Sequence, residues 1–280
     1  MTSYKFPLNS IKKKEILIHV SAHRNSDNNL TKNESSNKDP EISRKMSNNS
    51  YVNDDTLKDI RETNNITIVL KSLMFKSLES IGKGSYGEIL KIESTVDQSI
   101  KVAKIVHYDN SNSGNIIKEL SQLEIETIFK LKHINIIQLY LYKKFQNGLL
   151  SILEYAKKGD LYKYSHNKPM PENLAFAFFQ QIYEGAKYLN EKNIEHRDLK
   201  LENIVITEDC QVKICDFGLA KLKKTENERC ENLGSPFCLS PEAVKKDIAP
   251  FGSVDIWSLG CILYGLIKGK YPLENKNVKN

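Results

Sequence analysis

A chain of 280 residues with net charge +6, 40% hydrophobic and 27% charged residues has room for one large domain or two small ones and the balance of a soluble globular protein. No apolar run approaches the roughly 20 residues that span a bilayer, Met1–Ser10 lacks the apolar core of a signal peptide, and no basic stripe with interleaved aromatics marks a nucleic-acid surface; neither a membrane nor a nucleic acid is expected as a partner. Cys210, Cys215, Cys230, Cys238 and Cys261 form no CxxC pair and no cysteine–histidine cluster, which predicts free thiols, no zinc site and an intracellular protein, cytoplasmic or nuclear.

In chain order, residues 1–65 are dominated by Asn, Ser, Lys and Asp, as in Asn25-Ser26-Asp27-Asn28-Asn29. So little apolar surface cannot offset the entropy of ordering, and a mostly disordered tail is expected. Ile16-Leu17-Ile18-His19-Val20 stands out within it as a strand or docking segment, and Ile66-Thr67-Ile68-Val69-Leu70 as a segment packing on the domain edge. From Phe75 the texture changes. Phe75–Ile81 alternates loosely, as a half-buried strand does. Gly82-Lys83-Gly84-Ser85-Tyr86-Gly87-Glu88-Ile89 follows and leads into a second strand through Ile92. Its glycines let the backbone turn tightly and bring N–H groups close to phosphate oxygens. A strand rather than a helix after the glycines argues against the dinucleotide-binding form of the motif. The next strand, Ser99–Val106, offers Lys101 and Lys104. Pairing the two strands about a turn at Thr95-Val96-Asp97-Gln98 sets Ile89 opposite Lys104 and points Lys101 to the other face.

Gly114–Lys132 reads as a helix, with Ile117, Leu120, Leu123, Ile128 and Leu131 near three-to-four spacing. Leu149–Leu153 is a short apolar strand, and Asp160 is placed to cap a helix beginning at Leu161. Pro171–Glu191 is a long helix whose stripe Leu174, Phe178, Ile182, Ala186 and Leu189 belongs in a core.

The densest chemistry follows: His196-Arg197-Asp198-Leu199-Lys200-Leu201-Glu202-Asn203, then two β-rich runs, then Asp216-Phe217-Gly218. Phosphoryl transfer needs such a set, a carboxylate to orient a hydroxyl nucleophile and further oxygens to hold Mg²⁺ on ATP. Together with the glycine-rich stretch, Val102-Ala103-Lys104, Leu131-Lys132-His133-Ile134-Asn135-Ile136-Ile137, Gly234-Ser235-Pro236 and Ser240-Pro241-Glu242, this ordered set resembles the eukaryotic-type protein kinase family in its Ser/Thr-specific branch, over residues 75–280.

The resemblance implies an α+β, two-lobed fold with a small β-rich N-lobe at about 75–153 and a helical C-lobe at about 157–280. It implies ATP and Mg²⁺ as cofactors and transfer of the γ-phosphate to Ser/Thr hydroxyls of protein substrates. Asp198 would orient the acceptor hydroxyl, Lys200 would neutralise the γ-phosphate, and Asn203 and Asp216 would ligate the metal. Ile81, Gly82, Lys83, Gly84, Ser85, Tyr86, Gly87, Glu88 and Ile89 would cover the nucleotide, with Ile89 capping adenine. Lys104, better spaced than Lys101, would hold the α- and β-phosphates, and family spacing selects Glu124 over Glu119 and Glu126 as its ion-pair partner. The backbone of Glu154 and Ala156 would bond the adenine edge beside Leu153, and Asp160 would contact ribose. Ser235 would bond Asp198 and Lys200, Glu231 would stand opposite Arg197, and Asp255 would hold the catalytic-loop backbone. The matching sequence stops at Asn280, before the family's later C-lobe helices. A minimal kinase, a truncated one, or one completed by a partner are the three expectations, with an ATP-binding pseudokinase or scaffold as the alternative function.

Overall fold

The structure, a computed structural model, describes residues 65–84, 87–165 and 168–274. The tail through residue 64 with its Ile16–Val20 segment, Ser85 and Tyr86 of the glycine-rich stretch, and residues 275–280 lie outside them. Helices and sheets mix as an α+β fold requires, and contacts divide the chain into two compact units: residues up to Glu119 with Tyr142–Ser151, and Leu120–Leu141 with Ile152 onward.

The first unit begins with helix α1 (Ile66–Ser72), capped by Asn65, whose side chain accepts from the Thr67 N–H. Val69 and Leu70 are buried and α1 packs against strand β1 (Phe75–Gly84), so the apolar segment foreseen at the domain edge does pack there, as a helix. With β2 (Gly87–Ser94), β3 (Ile100–His107), β4 (Leu139–Phe145) and β5 (Gly148–Glu154), β1 forms a sheet in the order β1-β2-β3-β5-β4. Strand β1 departs from the half-buried reading: Leu78 is 44% and Ile81 43% exposed. Two register shifts against β2, between Ser77 and Glu79 and between Ser80 and Gly82, break the two-residue period that would keep one face inward. The β2–β3 hairpin is regular. Ile89 pairs with Lys104 and Ile92 with Lys101, the register expected from the Thr95–Gln98 turn. Ile92, Ala103, Ile105 and Leu150 form this unit's buried centre.

Helix α2 (Asn112–Ile128) starts two residues earlier than its apolar pattern suggests, because the Ser111 hydroxyl accepts from the Gly114 N–H. It ends before Lys132 because the chain tightens there into three-residue bonds, Lys130 N–H to Thr127 O and Leu131 N–H to Ile128 O.

In the second unit, short α3 (Leu161–Ser165) precedes α4 (Glu172–Glu191). The buried stripe of α4 is Ala175, Phe178, Ile182, Gly185 and Leu189, rotated slightly from the expected one; Leu174 and Ala186 are half-buried. A β-carbon on Gly185 would stand 2.9 Å from the Asn135 carbonyl oxygen, so glycine lets this helix approach closely. Three small sheets follow: β6 (Ile194–Glu195) with β9 (Lys221–Leu222), β7 (Ile204–Ile206) with β8 (Val212–Ile214), and β10 (Asn227–Arg229) with β11 (Ile248–Pro250). Helix α5 (Pro241–Lys245) lies before β11, and α6 (Ser253–Lys268) packs on α4. Among the described residues no helix is long and apolar enough to cross a membrane.

Candidate active site

In the first unit, the described residues of the glycine-rich stretch continue the strands. Gly82 pairs with Ile89, Lys83 with Glu88, and Gly84 with Gly87. A β-carbon on Gly87 would collide with the Ile105 backbone carbonyl, so the hairpin needs glycine there. Lys104, three residues from Lys101 in a regular strand, projects to the opposite face, and its carbonyl accepts from Ser151 Oγ at 3.4 Å.

In the second unit, Glu124 is half-buried on α2, whereas Glu126 is exposed and bonded by Gln122 Nε2 at 3.2 Å. The Glu154 N–H donates to Gln138 O at 2.9 Å, and its side chain meets Lys213 Nζ at 3.1 Å. The Ala156 carbonyl accepts from the Gly159 N–H at 3.1 Å. Asp160 caps α3: its Oδ1 accepts from the Lys163 N–H at 2.8 Å, and Oδ2 lies 2.9 Å from Lys163 Nζ. The capping reading of Asp160 is thus realised.

The segment 196–203 is held from several sides. Asp255, at the start of α6, accepts from the His196 N–H at 2.7 Å and the Arg197 N–H at 2.8 Å, the backbone-holding contact expected of it. Burial pushes the Asp255 carboxyl up from its ordinary pKa, against the pull of His196, Arg197 and the two N–H bonds. The His196 ring lies 3.1 Å from Cys215 O through Nε2 and 5.0 Å from the Phe217 ring centroid, both side chains fully buried. Arg197 and Asp216 adopt left-handed backbone conformations, with φ of 63° and 66°, a strain of a kind that gathers at functional sites.

These anchors present a triangle of polar groups. Lys200 Nζ donates to Asp198 Oδ2 at 2.8 Å and to Ser235 Oγ at 2.7 Å, and Ser235 Oγ donates to Asp198 Oδ1 at 2.9 Å. Burial pulls the Lys200 pKa down, but the Asp198 carboxylate, with Glu202 and Asp216 beyond it, outweighs burial and the net shift is upward. Gly234 brings Ser235 into place: at φ 106° its absent β-carbon would stand 2.6 Å from Arg197 O. Asn203 Nδ2 donates to Asp198 O at 2.8 Å and to Oδ2 at 3.0 Å, which commits its amide nitrogen to Asp198. The Cys215 N–H donates to Asn203 O at 2.9 Å, setting Asp216 one residue from that bond.

Arg197 also reaches the segment after Asp216. Its Nε donates to Leu219 O at 2.7 Å, and Nη1 lies 3.3 Å from Glu231 Oε2. Lys221, which the motif reading does not mention, stands 3.8 Å from Glu231 and 2.7 Å from Glu228. Pairing of β9 with β6 puts it there, a consequence of two-residue strands too short to show a period. Tyr271, in the sequence only a residue near the end, sends its hydroxyl to Leu201 and Glu202.

A family profile described as protein kinase domain matches residues 75–280. The chain is 34% identical over 203 residues to NUAK family SNF1-like kinase 1 of Homo sapiens, covering 72% of this chain and 31% of that protein. It is 35% identical over 210 residues to serine/threonine-protein kinase PLK4 of Xenopus laevis (74% and 22%), and 33% over 206 residues to human NUAK family SNF1-like kinase 2 (73% and 32%). The matched region spans a third or less of these relatives' length. The motifs stand in family order, the profile covers nearly three quarters of the sequence, and the chain belongs to the protein kinase domain family.

Proposed function

We propose that this chain is a protein serine/threonine kinase that transfers the γ-phosphate of ATP to serine and threonine hydroxyls of protein substrates. The observation that carries this reading is the Asp198–Lys200–Ser235 triangle. Ser235, Lys200 and Asn203 hold the oxygens of Asp198 and His196 Nδ1 accepts from its N–H, so Asp198 offers a fixed carboxylate to an acceptor hydroxyl. Lys200 keeps its positive charge where charge gathers on the transferring group, which matters more than proton transfer in this chemistry. Ser235 ties the acceptor-side segment to both.

Asn203 and Asp216 are the proposed metal ligands. Among the described residues no group of three or more His, Cys, Asp or Glu side chains could hold a metal by itself. A cation here would therefore draw further oxygens from phosphates and water, as Mg²⁺ does when it bridges and neutralises them. In the first unit Lys104 is the proposed phosphate-binding lysine; in the second, Glu124 is the acid that family spacing assigns to it. Residues 81–89 are assigned to the nucleotide phosphates and adenine, the backbone of Glu154 and Ala156 to the adenine edge, and Asp160 to ribose. All five cysteines are free thiols, in keeping with a reducing intracellular setting.

The test is γ-phosphate transfer to a generic basic protein by wild type and by Asp198→Asn. The variant should lose at least about a hundredfold in kcat, the scale of a lost positioned acid–base group. Equal background transfer by both proteins would remove the reading.

A further inference from the structure

The second unit contains a contact set around Tyr271 that the catalytic motifs leave without a purpose. Its side chain is 3% exposed. The hydroxyl accepts from the Leu201 N–H at 2.8 Å and donates to Glu202 Oε2 at 2.7 Å. The ring lies nearly parallel to Phe237, with centroids 6.1 Å apart, and to Tyr162 on its own account at 6.5 Å. Its backbone N–H is in turn held by Glu274 Oε2 at 3.0 Å.

What these contacts join is specific. Leu201 and Glu202 form the single turn between Lys200 and Asn203. Phe237 lies in the turn Pro236–Cys238, directly after Ser235. One phenol therefore grips both segments whose side chains meet in the Asp198–Lys200–Ser235 triangle. Its two hydrogen bonds use the hydroxyl as acceptor and donor at once, so a neutral phenol is required, and burial holds its pKa above the usual value. Phenylalanine would keep the ring but strand the buried Leu201 N–H and release Glu202.

We infer that Tyr271 is a positioning residue for phosphoryl transfer: it locks the Lys200–Asn203 turn to the Ser235–Phe237 turn so that Lys200 and Ser235 address Asp198 together. The inference rests on the kinase reading above. Tyr271 touches neither the proposed nucleotide ligands nor the reacting atoms, so its loss should lower kcat while leaving KM for ATP in place.

The experiment measures kcat and both KM values on the full chain for wild type, Tyr271→Phe, Ser235→Ala and their double variant, with Asp198→Asn alongside and thermal midpoints for all. Tyr271→Phe should lose about tenfold in kcat, the scale of one stranded buried donor, with KM for ATP within about twofold. The double variant should be no slower than the slower single one, because the two changes break one linkage. Additive losses, a kcat within twofold of wild type, or a loss explained by the folded fraction would overturn the inference. If Tyr271→Phe does not fold, Phe237→Leu takes its place: a several-fold drop in kcat supports the lock, and an unchanged kcat overturns it. Asp198→Asn equal to wild type would instead defeat the kinase reading itself.

Discussion

The β2–β3 hairpin of the first unit and the 194–203 segment of the second solve the same problem, placing a lysine, by opposite means. Register sets the face on which Lys104 stands. A four-residue turn fixes which residues pair, and the alternation of a strand decides which face each takes. Nearby β1 is exposed and twice bulged. Lys200 sits where the backbone is irregular, and the segment around it is bound by named partners: Asp255 on the His196 and Arg197 N–H groups, Asn203 and Ser235 on Asp198, Tyr271 on the Leu201 N–H. In the strand, pairing decides which face a side chain takes; in the irregular loop that is decided by specific contacts, most of them between buried polar groups.

The first way to test this difference is on the hairpin. If register alone assigns the lysine, Lys104→Met should lose on the order of a hundredfold in phosphoryl transfer, as when one preorganised charge is removed from a transition state. Lys101→Met, three residues away on the opposite face, should stay within about twofold. Steady-state kinetics with varied ATP separates them. Equal losses would mean that the side-chain alternation does not decide which lysine is used.

The same contrast governs what the sequence makes legible. The Ile89–Lys104 pairing follows from a turn and a two-residue period, and it is found as expected. The Ser235 contacts to Asp198 and Lys200, the Asp255 bonds and the Arg197–Glu231 pair follow from motif spacing. The bulges of β1 leave no mark in its composition, because each comes from one residue too many in a strand and not from a residue type. Segment 66–70 has the β-branched content of a strand, yet Asn65 caps it as a helix and Val69 and Leu70 find a buried face. Lys221 and Tyr271 escape a linear reading because strands of two residues and a lone aromatic carry no period. Their contacts exist only once distant segments have met.

Dense polar packing around the loop has a cost, and Glu195 shows it. Burial first, then the charge of Asp255, push its carboxyl up to about 7, against the Gly252 N–H, Arg197 and Lys221. The folded chain therefore holds this proton up to about pH 7, while an unfolded chain releases it near the ordinary 4.5. Between those values the native state binds more protons than the unfolded one, so stability from this group falls as pH rises and levels off above 7. Wild type should lose about 2 kcal/mol more than Glu195→Gln between pH 5 and pH 8. Urea midpoints at the two pH values measure it. A flat difference would show that the loop tolerates the second carboxylate, and that its contacts are less tightly coupled than the geometry indicates. No counterpart is expected in the hairpin.

The smallest expected effect concerns the Arg197–Glu231 ion pair between the loop and the 219–233 segment. Arg197 is almost wholly buried, with 5% of its side chain exposed, against 27% for Glu231. A buried guanidinium needs a fixed oxyanion, and a carboxylate already 3.3 Å away can serve without any added phosphate. Lys221, on the same carboxylate, pins it to β9. Protein made without an upstream kinase should therefore be active as isolated. Removing the partner of a buried charge is costly, but Glu231 is partly solvated, so Glu231→Ala should lose about tenfold in kcat, near 1.4 kcal/mol, and not the several kcal/mol of a fully buried pair. Glu231→Gln, which keeps an acceptor but no charge, should fall between. Undiminished transfer by Glu231→Ala would show that the loop's backbone anchors at Asp255 hold Arg197 well enough alone. The second region would then resemble the hairpin more than its contacts suggest, with a few bonds placing the lysine and the rest only filling space.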